Sequence, residues 1–101
     1  YNRLDERVMA LGSDIQRSFT KFYINYSTRR SFVTVQPRKR KLFCYVSLAW
    51  EELPERNELI TRDVRKIGHY GMGDTEIMLA DISQLDYAVR LIEASYRKAG
   101  Q

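Results

Sequence analysis

Between Phe19 and Trp50 side-chain character alternates with a period of two, and this run constrains the fold more than any other feature of the chain. Phe22, Ile24 and Tyr26 alternate with Lys21, Tyr23 and Asn25. Ser27 to Arg30 reads as a turn, and "SFVTVQ" at 31–36 as a second strand. Pro37 cannot donate to a sheet ladder and is expected to end that strand. The charged turn "RKRK" at 38–41 follows, and Leu42, Cys44, Val46 and Leu48 then alternate with Lys41, Phe43, Tyr45 and Ser47. The pattern predicts a three-stranded antiparallel meander.

Helical spacing flanks this run on both sides. Leu4, Val8 and Leu11 form a stripe over residues 2–11, stopped by Gly12-Ser13-Asp14. Leu85, Ala88, Val89, Ile92 and Tyr96 form a second stripe, with Gly100 as its stop and Ser83 with Asp86 resembling a capping box. Between them, Glu51–Ile60 predicts a loop with a short helix, and "TRDVRKI" at 61–67 reads equally as a helical turn or a strand. "TEIMLA" at 75–80 is a further strand. The expected fold is α+β: a small antiparallel sheet, the meander plus one or more further strands, packed with N- and C-terminal helices. A length of 101 residues fits a single domain, and the opening on Tyr1 suggests a piece of a longer protein.

Charge is unevenly distributed. Residues 1–49 carry ten Lys or Arg against three acids, whereas residues 50–101 carry seven against ten. A basic half favours an anionic partner such as nucleic acid. No apolar run approaches the roughly 18 residues that a membrane span needs. The one cysteine, Cys44, lies in an apolar run and reads as a buried small hydrophobe in a reducing, cytoplasmic setting. One cysteine and one histidine make no standard zinc site, so neither a metal nor a cofactor is expected.

The candidate contacts to nucleic acid lie in the basic turns. Arg38, Lys39, Arg40 and Lys41 form one cluster, and Arg29 and Arg30 a second at the other end of the strand, ~20 Å away. Arg62, Arg65, His69 and Tyr70 could extend either. Such turns can grip phosphate without reading sequence, or can simply keep a sheet soluble. Lys21, Tyr23, Lys41, Phe43 and Tyr45 share the strand face opposite the aliphatic set. They form either a basic aromatic platform or, under a covering helix, a second core. Gly68, Gly71 and Gly73 match neither the dinucleotide fingerprint nor the P-loop, because a strand rather than a helix follows them. Asp63, Asp74 and Glu76 could hold a metal for hydrolysis, though no lysine accompanies them in the usual place and no residue is assigned a catalytic role. The acidic Glu51, Glu52, Glu55 and Glu58 could instead face a protein partner, making the chain an interaction or dimerisation module.

Four blocks follow one pattern in order: "FTKFYINY" at 19–26, "SFVTVQPRKRKL" at 31–42, "RDVRKIGHYGMGDTE" at 62–76 and "LDYAVRLIEASY" at 85–96. Together they resemble a bacterial domain of unknown function often labelled "predicted transport protein". That domain commonly ends restriction-like nucleases of the GmrSD type, with a ParB/Srx-like NTPase part and an HNH part. There is a further likeness to the MmcQ/YjbR-like double-wing DNA-binding fold. The resemblance implies an accessory module at the end of a DNA-targeting enzyme, with the nuclease part of the parent chain as a partner and no catalytic residues of its own. It also makes Gly68–Asp74 a signature loop, with an aromatic where Tyr70 stands.

Overall fold

A computed structural model describes residues 1–67 and 73–100 of the chain. Helix α1 (Asn2–Met9) leads into β1 (Gln16–Phe19), β2 (Ile24–Ser27), β3 (Ser31–Arg38) and β4 (Lys41–Val46). Strands β5 (Thr61–Asp63) and β6 (Thr75–Leu79) and helix α2 (Leu85–Ala99) complete the order, with single 3-10 turns at Trp50–Glu52 and Ile82–Gln84. The six strands form one sheet in the order β1-β2-β3-β4-β6-β5, and every neighbouring pair is antiparallel.

The period-two pattern sorts the sheet into two faces. Ile24 lies opposite Val35, Val35 opposite Cys44, and Cys44 opposite Ile77, so one aliphatic row crosses four strands. All four residues are buried, and the core they join includes Leu4 and Val8 of α1 and Ala88, Leu91 and Ile92 of α2. Both helices therefore pack on this face. Each fully buried aliphatic side chain contributes about 1.5–3 kcal/mol relative to exposure, which makes this layer the main source of stability. Cys44 is a free, fully buried thiol within it, and burial pushes its pKa up to about 12.

Several sequence expectations need correction. Residues 16–19 are a strand that the alternation beginning at Phe19 does not include; it pairs with β2 from Gln16–Ser27 to Phe19–Ile24. Phe22 consequently sits in the connecting turn, where the Tyr23 carbonyl accepts from the Thr20 N–H at 2.8 Å. Pro37 does not end its strand but pairs with Leu42 inside β3. It lies beyond Val35, the last β3 residue opposite β2 on that side, so its missing N–H leaves no ladder bond unmade. The segment at 61–63 is a strand. The capping box is formed by Asp81 and Gln84 rather than by Ser83 and Asp86. The Asp81 carboxylate accepts from the Ser83 N–H, and the Gln84 side chain accepts from the Ala80 and Asp81 N–H groups. Asp86 instead pairs with Arg7 at 2.7 Å and ties α2 to α1.

Candidate nucleic-acid interface

The β3–β4 hairpin places Arg38 directly opposite Lys41, with Lys39 and Arg40 at its tip. Like charges directly opposite each other destabilise a sheet. Among the described residues no carboxylate pairs with any of the four cations. Arg40 also takes a left-handed backbone, φ 66°, a conformation costing a non-glycine residue about 1–2 kcal/mol. The hairpin tip thus concentrates positive charge that the fold does not neutralise.

The turn joining β1 and β2 lies at the same end of the sheet. Phe19 and Phe22 are 64% and 61% exposed, and with Lys21, Gln36, Pro37 and Arg38 they line a shallow depression. The Lys21 ammonium sits 5.5 Å from the centre of the Phe22 ring, and the Arg17 guanidinium 5.4 Å from that of Phe19. Large apolar rings held in water beside cations are a costly surface to maintain unless something covers it. Sequence reading missed both rings, because it placed Phe22 on the buried face. The only signal was their spacing with Lys21 in "FTKFY".

The sheet face turned away from the helices carries a polar row in register. Asn25 lies opposite Thr34, Thr34 opposite Tyr45, Tyr45 opposite Glu76, and Glu76 opposite Arg62. Phe43 and Lys41 continue the β4 part of this face toward the hairpin, with the Lys41 ammonium 5.7 Å from the Phe43 ring centre. Lys41, Phe43 and Tyr45 thus share the face opposite the aliphatic set, as expected, and the helices lie on the other side. Tyr45 is nevertheless buried by its neighbours, and burial, reinforced by the nearby Glu76 carboxylate, pushes its phenol up to about 12.

Glu76 and Arg62 form an asymmetric pair. The Glu76 side chain is 8% exposed and the Arg62 side chain 60%, with Nε 2.8 Å from Oε1 and the second guanidinium nitrogen 3.3 Å from Oε2. Asp63 is opposite Thr75, so it emerges on the other face of the sheet from Glu76. It is held by Arg65, which also grips Glu51. Asp74 lines a separate depression with Arg30, Ser31 and Lys98. The three acids are therefore dispersed, and no cluster of three His, Cys, Asp or Glu suited to a metal occurs among the described residues.

The sequence-predicted cations divide accordingly. Arg38, Lys39 and Lys41 share a depression on the polar face with Arg62 and Phe43, and Arg40 caps the hairpin. Arg29 and Arg30 lie in the β2–β3 turn at the far end, where Arg30 donates to the Lys98 carbonyl at 3.2 Å. Arg65 is spent on Asp63 and Glu51. His69 and Tyr70 lie outside the described residues, as do Gly68 and Gly71. Gly73 has a structural reason: a Cβ there would run into the Val46 carbonyl oxygen. The acidic segment is largely neutralised within the chain, since Glu51 pairs with Arg65, Glu52 with Lys98 and Glu55 with Arg90.

Comparison with known proteins adds one family and one relative. The family model described as Domain of unknown function (DUF5655) matches residues 1–99. A Haemophilus influenzae protein described as "Uncharacterized protein" is 26% identical over 97 residues, covering 96% of this chain and 32% of that protein. The chain thus spans about a third of the length of this curated relative. No solved structure matches. Among the described residues no helix is long and apolar enough to cross a membrane.

Proposed function

The chain belongs to the DUF5655 family, and we propose that it is a non-catalytic accessory module that grips nucleic acid, single-stranded DNA in the first place. The observation that carries this reading is the juxtaposition of four unpaired hairpin cations with the exposed rings of Phe19 and Phe22 at one end of the sheet. Cations hold phosphates, and exposed rings stack on bases whatever their sequence. In the longer proteins to which such a module would be attached, it would hold the DNA on which a restriction or defence nuclease acts.

A second reading, docking on a nuclease partner or on a second copy of the chain, has the free outer edge of β1 in its favour, since all four of its residues are exposed. The internal pairing of Glu51, Glu52 and Glu55 speaks against the acidic segment as that docking surface.

Fluorescence anisotropy of labelled single- and double-stranded DNA at two salt concentrations tests the first reading. Four phosphate contacts predict a loss of affinity for single strands of roughly fifty-fold between 50 and 200 mM salt. The variant with Arg38, Lys39, Arg40 and Lys41 all changed to Ala should lose most of the binding and most of that slope. Binding indifferent to salt, or untouched by the quadruple change, refutes it.

A further inference from the structure

The open sheet face beside the hairpin holds a buried charge with no core to justify it. Desolvating a carboxylate is costly, and burial is tolerated only when the group is paired and hydrogen-bonded. Glu76 meets that condition by pairing with Arg62, yet Arg62 itself stays largely in water. A pair serving only to join β6 to β5 would do as well with both groups at the surface. What the arrangement achieves is to fix the guanidinium: two of its nitrogens are engaged by Glu76. Among the described residues its third nitrogen has no partner. The half-buried ring of Phe43 lies in the same two depressions as Arg62.

We propose that Phe43 and Arg62 form a nucleotide subsite on this face, and that Glu76 is a positioning residue that holds the Arg62 guanidinium ready for it. The inference rests on the nucleic-acid reading and extends it. A strand gripped by Arg38 and Lys41 would continue over the sheet, with one base stacked on Phe43 and the adjoining phosphate taken by the free edge of Arg62. Charge complementarity selects this occupant: Arg38, Lys39 and Lys41 line the hairpin-side depression with Arg62, and the carboxylate there, Glu76, is already paired, while Glu58 lies in the depression on the other side. A planar, pre-oriented guanidinium suits a phosphate or a base plane in a way that an ammonium does not.

The test is the affinity of each variant for a short single-stranded dT oligonucleotide carrying one 2-aminopurine, whose fluorescence falls on stacking. Removing a carboxylate adds positive charge, so electrostatics alone would make Glu76→Gln bind more tightly. The positioning role predicts the opposite sign, a weakening of about three- to ten-fold. Arg62→Lys keeps the charge but loses the fork and should weaken binding similarly. Phe43→Leu should cost about ten-fold and abolish the 2-aminopurine quench.

Tighter or unchanged binding by Glu76→Gln overturns the positioning role. Unchanged binding and quench in both Arg62→Lys and Phe43→Leu overturns the subsite. If Glu76→Gln does not fold, those two variants decide the matter. Absence of binding by the wild type sinks the underlying reading as well, whereas wild-type binding that only the hairpin variant abolishes sinks this inference alone.

Discussion

The hydroxyl of Tyr26 donates to Oδ1 of Asp5 at 2.7 Å, joining the centre of β2 to helix α1. The same carboxylate receives Arg17 at 2.7 and 2.8 Å, and the Tyr1 hydroxyl lies 2.8 Å from that of Tyr26. Tyr26 is fully buried, so its hydroxyl is satisfied by this cluster rather than by water. Tyr26→Phe removes a hydrogen bond to a charged acceptor and should destabilise the fold by about 1.5–3 kcal/mol. Urea unfolding with an unchanged slope would show it. A shift in midpoint equivalent to less than about 0.5 kcal/mol would mean that the cluster adds nothing net.

The pH dependence has two limbs. Burial works against ionisation of Asp5, but hydrogen bonds from Arg17, Tyr26 and Tyr1 outweigh it and hold its carboxyl below the usual value of 3.8. The ionised form therefore favours the fold. That stability is complete above about pH 4–5 and is lost as pH falls through the lowered folded value. Asp5→Asn should be less stable at pH 7 and should show a shallower acid limb. On the other side, Cys44 is raised from 9.0 to about 12 by burial. The folded state keeps that proton after the unfolded state has released it. Its contribution is complete below about pH 9 and disappears as pH rises toward 12. Cys44→Ala should flatten the stability profile between these values, whatever its baseline stability. An unaltered profile would show that the thiol does not couple to unfolding.

Gly73 marks a close approach of two backbones. The atom that an alanine would add there meets the main-chain carbonyl of Val46, and a strand end cannot yield as a flexible side chain can. Gly73→Ala should destabilise by about 1–3 kcal/mol, the usual range for forced overpacking. Thermal melts would detect it. By contrast, the Cβ of Gly12→Ala would meet chiefly the far end of the Tyr96 side chain, and should cost less. Equal losses in the two variants would contradict this distinction.

Arg40 separates stability from binding. Its positive φ is a strain that glycine would relieve, so Arg40→Gly should hold or raise the melting temperature, by a gain of up to about 1 kcal/mol. The same change removes one cation from the hairpin and should reduce the salt slope of DNA binding by about one phosphate contact. A variant that is both less stable and unaltered in its slope would contradict both expectations.

Much of the architecture was legible in the chain. Alternation over residues 24–46 set the strands β2, β3 and β4 and their buried face, because a period of two leaves each side chain only one of two sides. The stripes of α1 and α2 were equally plain, and the run at 38–41 already marked a charged turn. Short edge strands were not legible. Gln16–Phe19 and Thr61–Asp63 have too few residues to show a period, and they are strands because a neighbour offers them a ladder. Nor did any local pattern tell that Phe19 and Phe22 stay in water, that Gly73 answers to Val46, or that Glu76 lies beneath Arg62. Those relations depend on cross-strand register and on which face the helices cover. Long-range packing decides both, and it weighs residues distant in sequence against each other.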